Sequence, residues 1–308
     1  AGMYAFILSI LLASAALSLF TGPAQLDKKI LGLRSMRILL GATAGAGLAA
    51  CGAVFQAILR NPLAEPYALG ISSGAGLGAV IASAFFRSAV FMPLPAFSGA
   101  AATIFLVYNL ARVGGKIPAQ GLLLSGVVVN LVSSSLILFI MSVSRSPVLH
   151  DSMWWLLGNL QIFNLNLLLI SVIVTAAGIA VFMSYSRELD AICLGEEEAI
   201  HLGIEVERIK RILFIITSVI TAALVSSCGL IGFAGLIVPH MARFFAGAGH
   251  KKLIPASAVL GAAFLVLSDA LARALIQPAE IPIGVITSLL GGPFFLLMLR
   301  RAGRIGQG

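Results

Sequence analysis

The sequence predicts an all-α, polytopic membrane protein with about ten transmembrane helices; composition, run length and charge placement each point there. Of its 308 residues, 59% are hydrophobic and only 10% are charged, and the mean hydropathy is +1.06. A soluble domain carries about 25% charged residues, so this chain lacks the polar surface needed to face water on all sides. Its apolar runs match the ~20 residues of a membrane-crossing helix, whereas membrane β-barrel strands alternate over ~10. These features exclude a soluble enzyme.

Taken in order, Met3 to Thr21 reads as the first span. Its Ala13-Ser14-Ala15 resembles a signal-peptide cleavage site, but the basic segment that would support that reading is absent from the sequence. Ile38 to Leu59, Pro66 to Phe86 and Ser88 to Ala111 are charge-free and fit one crossing each. Ile117 to Ser144 is longer than one crossing requires. Ser152 to Ser186 is longer still, and predicts a short interfacial helix around Trp154 and Trp155 followed by a span from about Ile162. Ile212 to Ala242 contains no Asp, Glu, Lys or Arg. Basic residues on both sides of it (Arg208, Lys210 and Arg211 before; Arg243, Lys251 and Lys252 after) predict a hairpin. Its turn is expected near Ser226 to Gly229, with the second helix bent around Gly232, Gly235 and Pro239. Leu253 to Ile276, interrupted by Asp269 and Arg273, and Ile281 to Leu299 complete ten spans.

With both termini inside, nearly twice as many Lys and Arg face the cytoplasm as face outward, as topology requires. The net charge of +8 is therefore read as topology marking and contact with anionic lipid, not nucleic-acid binding. Cys51, Cys193 and Cys228 lack metal-ligand or redox spacing, two of them lie in apolar runs, and they read as buried, inert thiols. Gly41/Gly45 and Gly70/Gly74/Gly78 place small residues four apart, which predicts close helix contacts. Residues 1–308 read as a single transmembrane domain with a polar cytoplasmic segment at 189–211. No internal repeat supports an inverted-repeat secondary transporter.

Catalytic chemistry finds little foothold. The only Gly-Lys, Gly115-Lys116, precedes Ile117 and lacks the phosphate-loop glycines. His150, His201, His240 and His250 are scattered without ligand spacing, and His240 after Pro239 reads as satisfied by backbone or water. Three polar segments are more informative. In Leu194 to Ile204, three glutamates open a short helix whose Ala199, Ile200, Leu202 and Ile204 offer an apolar side; the segment is either a docking helix or a solvated connector. Arg60 to Pro66 is a two-proline break, either lining a path or forming an ordinary turn. Arg34, Arg37 and Arg273 (the last beside Glu280) are outer arginines that either receive acidic residues of a soluble partner or anchor to lipid headgroups. Asp269, the one acid well inside an apolar run, reads as a helix-end or interhelical hydrogen-bonding residue.

At these residues the chain resembles the permease subunits of bacterial ATP-driven importers for iron-siderophore complexes, haem and cobalamin, the FecCD-type family of type II ABC importers. The resemblance runs through Asn61–Pro66 (NPLAEP), Gly70–Gly76 (GISSGAG), Leu194–Gly203 (LGEEEAIHLG), Gly232–Arg243 (GFAGLIVPHMAR) and Glu280–Phe295 (EIPIGVITSLLGGPFF). It implies a ten-span permease in the bacterial inner membrane, working as a homodimer with two ATPase subunits and an extracytoplasmic substrate-binding protein. The permease itself would hold no cofactor, with ATP and Mg on the ATPase. By position, Leu194, Gly195, Glu196, Glu197, Glu198, Ala199, Ile200, His201, Leu202 and Gly203 match the ATPase-coupling helix. Asn61 and Leu63, with Pro118, Ala119 and Gln120, match the cytoplasmic narrowing of the path. Arg34, Arg37 and Arg273 match positions that meet glutamates of the binding protein. The family commonly reads Arg-Leu-Pro-Arg where this chain reads Arg34-Ser35-Met36-Arg37, so the proline at the start of the second span is missing. An ion-coupled secondary transporter is the alternative, and would need carboxylates within the bundle that are nearly absent.

Overall fold

Inside a bilayer each backbone amide must be satisfied within its own segment or by protein around it, and this chain meets that demand with helices. The computed structural model describes residues 2–22, 27–86, 92–112, 114, 118–144, 146–161, 164–277 and 279–305; the topology charges Arg87, Lys116 and Arg145 lie outside them. The described residues form α1 (Gly2–Phe20), α2 (Lys28–Ile58), a 3-10 turn (Pro66–Leu69), α3 (Ile71–Phe86), α4 (Pro93–Ala111) and α5 (Ala119–Val143). These are followed by α6 (Ser146–Leu156), α7 (Leu165–Ser184), α8 (Ser186–Leu194), α9 (Glu196–His201), α10 (Val206–Cys228), α11 (Ala234–Ala246), α12 (His250–Ala274) and α13 (Ile283–Ile305). By length and composition, α2, α4, α5, α7, α10 and α12 are able to cross a membrane, while α1, α3, α11 and α13 carry shorter apolar stretches. One helix of these two groups stands at each of the ten expected spans, and α6 is the short helix expected around the tryptophans.

The helices sort into a central group and a rim. The most apolar windows of α2 and α12 are each 78% buried and that of α10 is 67% buried, against 22–28% for α4, α5 and α7, whose Leu, Val and Phe side chains face outward. Close approach at the centre depends on glycine. A Cβ on Gly45 or Gly261 would strike the other helix's backbone carbonyl, so α2 and α12 cross with their main chains in contact. Gly74 and Gly78 of α3 likewise meet Gly99 and Pro95 of α4. Both predicted glycine faces are therefore helix contacts.

Two boundaries depart from the sequence expectation. Helix α2 starts at Lys28 rather than near Ile38, and Asp27 caps it by accepting from the Lys28 amide. At 31 residues it is about 46 Å long, more than the ~30 Å hydrocarbon core, so its charged first turns project beyond the apolar layer. With no proline in Arg34–Arg37, nothing interrupts it there. The hairpin turn also moves. Helix α10 continues through Ser226 to Cys228, and the non-helical stretch is Gly229–Phe233, with φ of 69° at Gly229 and 68° at Phe233. Gly229 lies against the Trp155 carbonyl, where a Cβ has no room.

Candidate functional site

Function-bearing polar groups gather at the two ends of the bundle and at one break within it. At one end Arg34, Arg37 and Arg273 line a single cavity of about 390 Å³ together with Glu280. Arg37 donates through Nε to Asp269 Oδ1 at 2.7 Å and through Nη1 to Glu280 Oε2 at 2.9 Å. Arg273 donates through Nε to Asp269 Oδ2 at 3.0 Å, one helical turn along α12. Its Nη1 and Nη2 donate to the Thr21 and Ser18 carbonyls at 2.6 and 3.0 Å, and Arg34 Nη1 donates to the Leu19 carbonyl at 2.8 Å. The carbonyls that end α1 are orphaned by helix geometry and carry partial negative charge, so two guanidinium groups cap them.

The sequence placed Arg273 beside Glu280, but the structure pairs Glu280 with Arg37 and turns Arg273 to Asp269 and α1. The reason is helical spacing: Asp269 and Arg273 share a face of α12, while Glu280 lies beyond that helix. Asp269 is the interhelical hydrogen-bonding residue expected, holding two arginines at once. Of the three arginines Arg37 is the most accessible, with 15% of its side chain exposed against 4% for Arg273.

Where α2 ends, two breaks in the helices meet. The connection after α2 turns sharply: Arg60 has φ of 47°, and the Asn61 side-chain oxygen accepts from the Leu63 amide at 2.9 Å. The chain then runs back into the bundle, where Pro66 packs on Gly235 of α11, and the Ile231 amide donates to the Tyr67 hydroxyl at 3.4 Å. Pro239 cannot donate to the Gly235 carbonyl one turn back, and Gly52 of α2 packs against that carbonyl. A Cβ on Gly52 would collide with it. His240 Nε2 meets the Pro62 carbonyl at 2.8 Å, as the backbone-satisfied reading of this histidine required. Arg243 Nη1 donates to Gln56 Oε1 at 2.7 Å, and Gln56 Nε2 donates to the Leu236 carbonyl at 3.2 Å. These bonds lock the break at 59–66 to α11. Asn61 is half-buried and Leu63 exposed; Pro118 caps the start of α5, with Gln120 exposed and Ala119 half-buried. Farther along α5, Gly126 packs on Ala68 and Leu69, joining this helix to the same break.

The opposite end carries Leu194–Gly203. Helix α9 begins with Glu196, Glu197 and Glu198, which suit its positive end. It ends in a Schellman cap: Gly203 at φ 80° donates to the Ile200 carbonyl at 2.9 Å, and the Ile204 amide donates to the Ala199 carbonyl at 3.1 Å. The expected apolar side divides in two. Ala199 is fully buried and Ile204 half-buried, whereas Leu194, Ile200 and Leu202 are 74, 59 and 68% exposed. Ala199 and Ile200 are neighbours and so cannot share one face of α9, while Leu194, Leu202 and Ile204 lie outside its six residues.

Sequence reasoning missed what anchors this helix. Lys210 Nζ, buried at the start of α10, meets Glu196 Oε1 at 2.9 Å and Glu207 Oε1 at 3.5 Å. Asp190 of α8 accepts from the His250 amide at 2.9 Å and pairs with His250 Nδ1 at 2.6 Å, thereby capping α12 from a neighbouring segment. The only sequence signal was the pairing of acid and base types across 189–211, which does not reveal partners. Gln56 and Tyr67, polar residues in apolar runs, were likewise visible but unassigned.

Known proteins fit this geometry along nearly the full chain. The chain is 44% identical over 87% of its length to the cobalamin import system permease protein BtuC of Halobacterium salinarum, covering 72% of that protein. It is 36% identical over 88% of its length to the hemin transport system permease protein HmuU of Yersinia pestis, covering 83% of it. Among solved structures, a chain assigned as a metal-chelate type ABC transporter in an inward-facing conformation superposes with a TM-score of 0.88 at 30% identity, with 97% of this chain and 98% of that one covered. Residues 3–301 match the FecCD transport family model, and the chain belongs to the FecCD transport family.

Proposed function

We propose that this chain is the membrane-spanning permease subunit of an ATP-driven importer of metal chelates, paired with a second copy of itself and with two ATPase subunits. Family membership supports the permease role, and α9 is the observation that carries the energy coupling. A capped, salt-bridged helix with Leu194, Ile200 and Leu202 turned outward is a surface made to enter a cleft, because exposing three large apolar side chains in water is unfavourable unless a partner covers them. On this reading the α9 end and both termini face the cytoplasm, and the protein resides in the cytoplasmic membrane, the inner membrane where there are two. ATP-driven closure of the ATPase dimer displaces α9, the Lys210 and Asp190 ties carry the displacement into α10 and α12, and the locked break at 59–66 opens. Chelate movement needs no bond chemistry on this chain, and ATP and Mg belong to the ATPase. Directionality follows from unequal stabilisation of outward and inward states by the binding protein and by nucleotide.

At the arginine end, a substrate-binding protein docks through acidic side chains. Arg37 is the arginine an incoming carboxylate reaches, while Arg34 and Arg273 hold the end of α1 against α12. The names of the relatives favour a cobalamin, haem or iron-chelate cargo. The test is uptake of labelled cobalamin, haemin and ferric hydroxamate by vesicles containing the reconstituted complex. Uptake of at least one that requires ATP and persists when ion gradients are collapsed supports the proposal; uptake that survives ATP depletion but fails with the gradient contradicts it.

A further inference from the structure

Three cavities adjoin at the arginine end. The arginine cavity of about 390 Å³ leads through a neck of about 80 Å³ to a third of about 370 Å³. Gln161 lines all three; Arg37 and Glu280 line the first two, and Trp154 and Asn159 the last two. They form one crevice. Its far cavity lies between α6, the turn that follows it, the end of α10 and the start of α4.

The two ends of the crevice differ in chemistry. The arginine end is cationic with its charges already paired, whereas the described lining of the far cavity holds no Lys or Arg and one carboxylate, Asp151. The Asp151 carboxylate, the side-chain amide of Gln161 (its backbone amide is bonded) and both indole N–H groups make no hydrogen bond to a described residue. Asn159 commits its side-chain oxygen to the Gln161 amide at 2.8 Å, leaving its own amide donors unspent. Ser226 donates to the Ala223 carbonyl at 2.8 Å, so its oxygen remains an acceptor. The tryptophans do not form an ordinary lipid-facing belt, because both are half-buried, both line this cavity, and Trp155 packs against the core. Unspent donors and acceptors beside two aromatic faces describe a site for a ligand with hydrogen-bonding groups on an apolar body.

We propose that this cavity is a transient receiving subsite for a neutral metal chelate bearing amide or hydroxamate groups on its rim. The proposal rests on the importer reading above. Mixed donors and acceptors match such a rim, the indole faces take its apolar body, and Asp151, beside His150 and with no Lys or Arg in the described lining, disfavours a polycarboxylate chelate. At this size the cavity grips one edge of a chelate rather than enclosing it. Neutral hydrogen bonds also suit a site that must release what it receives, since charge-assisted ones hold about twice as strongly.

The chain's two tryptophans both line the cavity, so their fluorescence reports on it directly. The experiment titrates the purified complex in lipid nanodiscs with cyanocobalamin, ferrioxamine and ferric citrate, taking the difference from a complex carrying Trp154→Phe and Trp155→Phe and correcting for inner-filter absorption. Saturable quenching by cyanocobalamin or ferrioxamine but not by ferric citrate is expected. Asn159→Leu should raise the half-saturation concentration and the uptake KM about fivefold, the equivalent of one lost hydrogen bond. Asp151→Lys should shift the preference toward ferric citrate. ATP-dependent uptake without saturable quenching, or with KM unmoved in both variants, overturns the subsite and leaves the importer reading standing. Loss of ATP dependence while quenching persists overturns the importer reading instead and upholds the binding site.

Discussion

Arg37 and Asp269 stand 232 positions apart in the chain and 2.7 Å apart in space. Asp269 is 2% exposed and also holds Arg273, so a single carboxylate neutralises two guanidinium groups at the junction of α1, α2 and α12. Replacing it with Asn leaves two nearly buried cations facing each other. Removing one partner of a buried pair costs about 3–5 kcal/mol. Asp269→Asn is therefore expected to lower the apparent Tm of the detergent-purified protein markedly, whereas Glu280→Gln, whose partner Arg37 keeps Asp269, lowers it much less. Equal shifts in the two variants would remove the central role given to Asp269.

Lys210→Met preserves the buried aliphatic stem while removing the ammonium that Glu196 and Glu207 meet. Both acids are about one-third exposed and screened by solvent, so the loss in folding stability is about 1 kcal/mol or less. The larger effect is on coupling. ATP hydrolysis should continue while transported chelate per ATP falls, measured by parallel phosphate release and uptake in proteoliposomes. An unchanged ratio would show that the Lys210 tie carries no motion.

Gly52→Ala tests the contact between the two interrupted segments. The added methyl would overlap the Gly235 carbonyl, and backbone cannot move aside as a flexible side chain can. Overpacking of this kind costs about 1–3 kcal/mol. Gly32→Ala on the same helix meets no atom and should raise the Tm slightly, because alanine is favoured over glycine within a helix, so the pair of thermal scans separates helix propensity from collision.

Cys51 and Cys228 are buried as expected, but Cys193 is not: it lies near the end of the polar helix α8, exposed beside the coupling helix. Desolvation is the first cause pushing its thiol above the ordinary value, opposed by Arg243 and reinforced by Asp190. Because the thiolate is the reactive form, alkylation should be slow at neutral pH and accelerate as pH rises into the alkaline range. Mass spectrometry after maleimide treatment should find this one site modified in the folded protein, with protection when the ATPase is bound. Equal labelling with and without ATPase would place the docking surface elsewhere.

Much of this was legible from the sequence because the bilayer makes length and charge informative. Helix count, the short helix at Trp154 and Trp155, and the glycine faces at Gly45 and Gly74 follow from run length, aromatic placement and small-residue spacing. The start of α2 was not legible, since cutting spans at charges ends them at Arg37, and only the distant Asp269 and Glu280 make those charges affordable inside the bundle. The hairpin break was displaced because Ser226–Cys228 carries weak turn chemistry, while the decisive constraint, the Trp155 carbonyl pressed on Gly229, comes from another helix. For the same reason the motif segments could be found but their partners could not: His240 with Pro62, Lys210 with Glu196 and Asp190 with His250 are tertiary pairings.

The central claim is that this chain works only as the membrane half of an ATP-driven assembly. Native mass measurement of the complex, purified gently from its own membranes through a tag on this chain, tests that claim most directly. The expected result is an assembly of two copies of this chain with two copies of an ATPase, which dissociates when Glu196–His201 is replaced by a Gly/Ser linker. A lone monomer or dimer that still transports a chelate would contradict it.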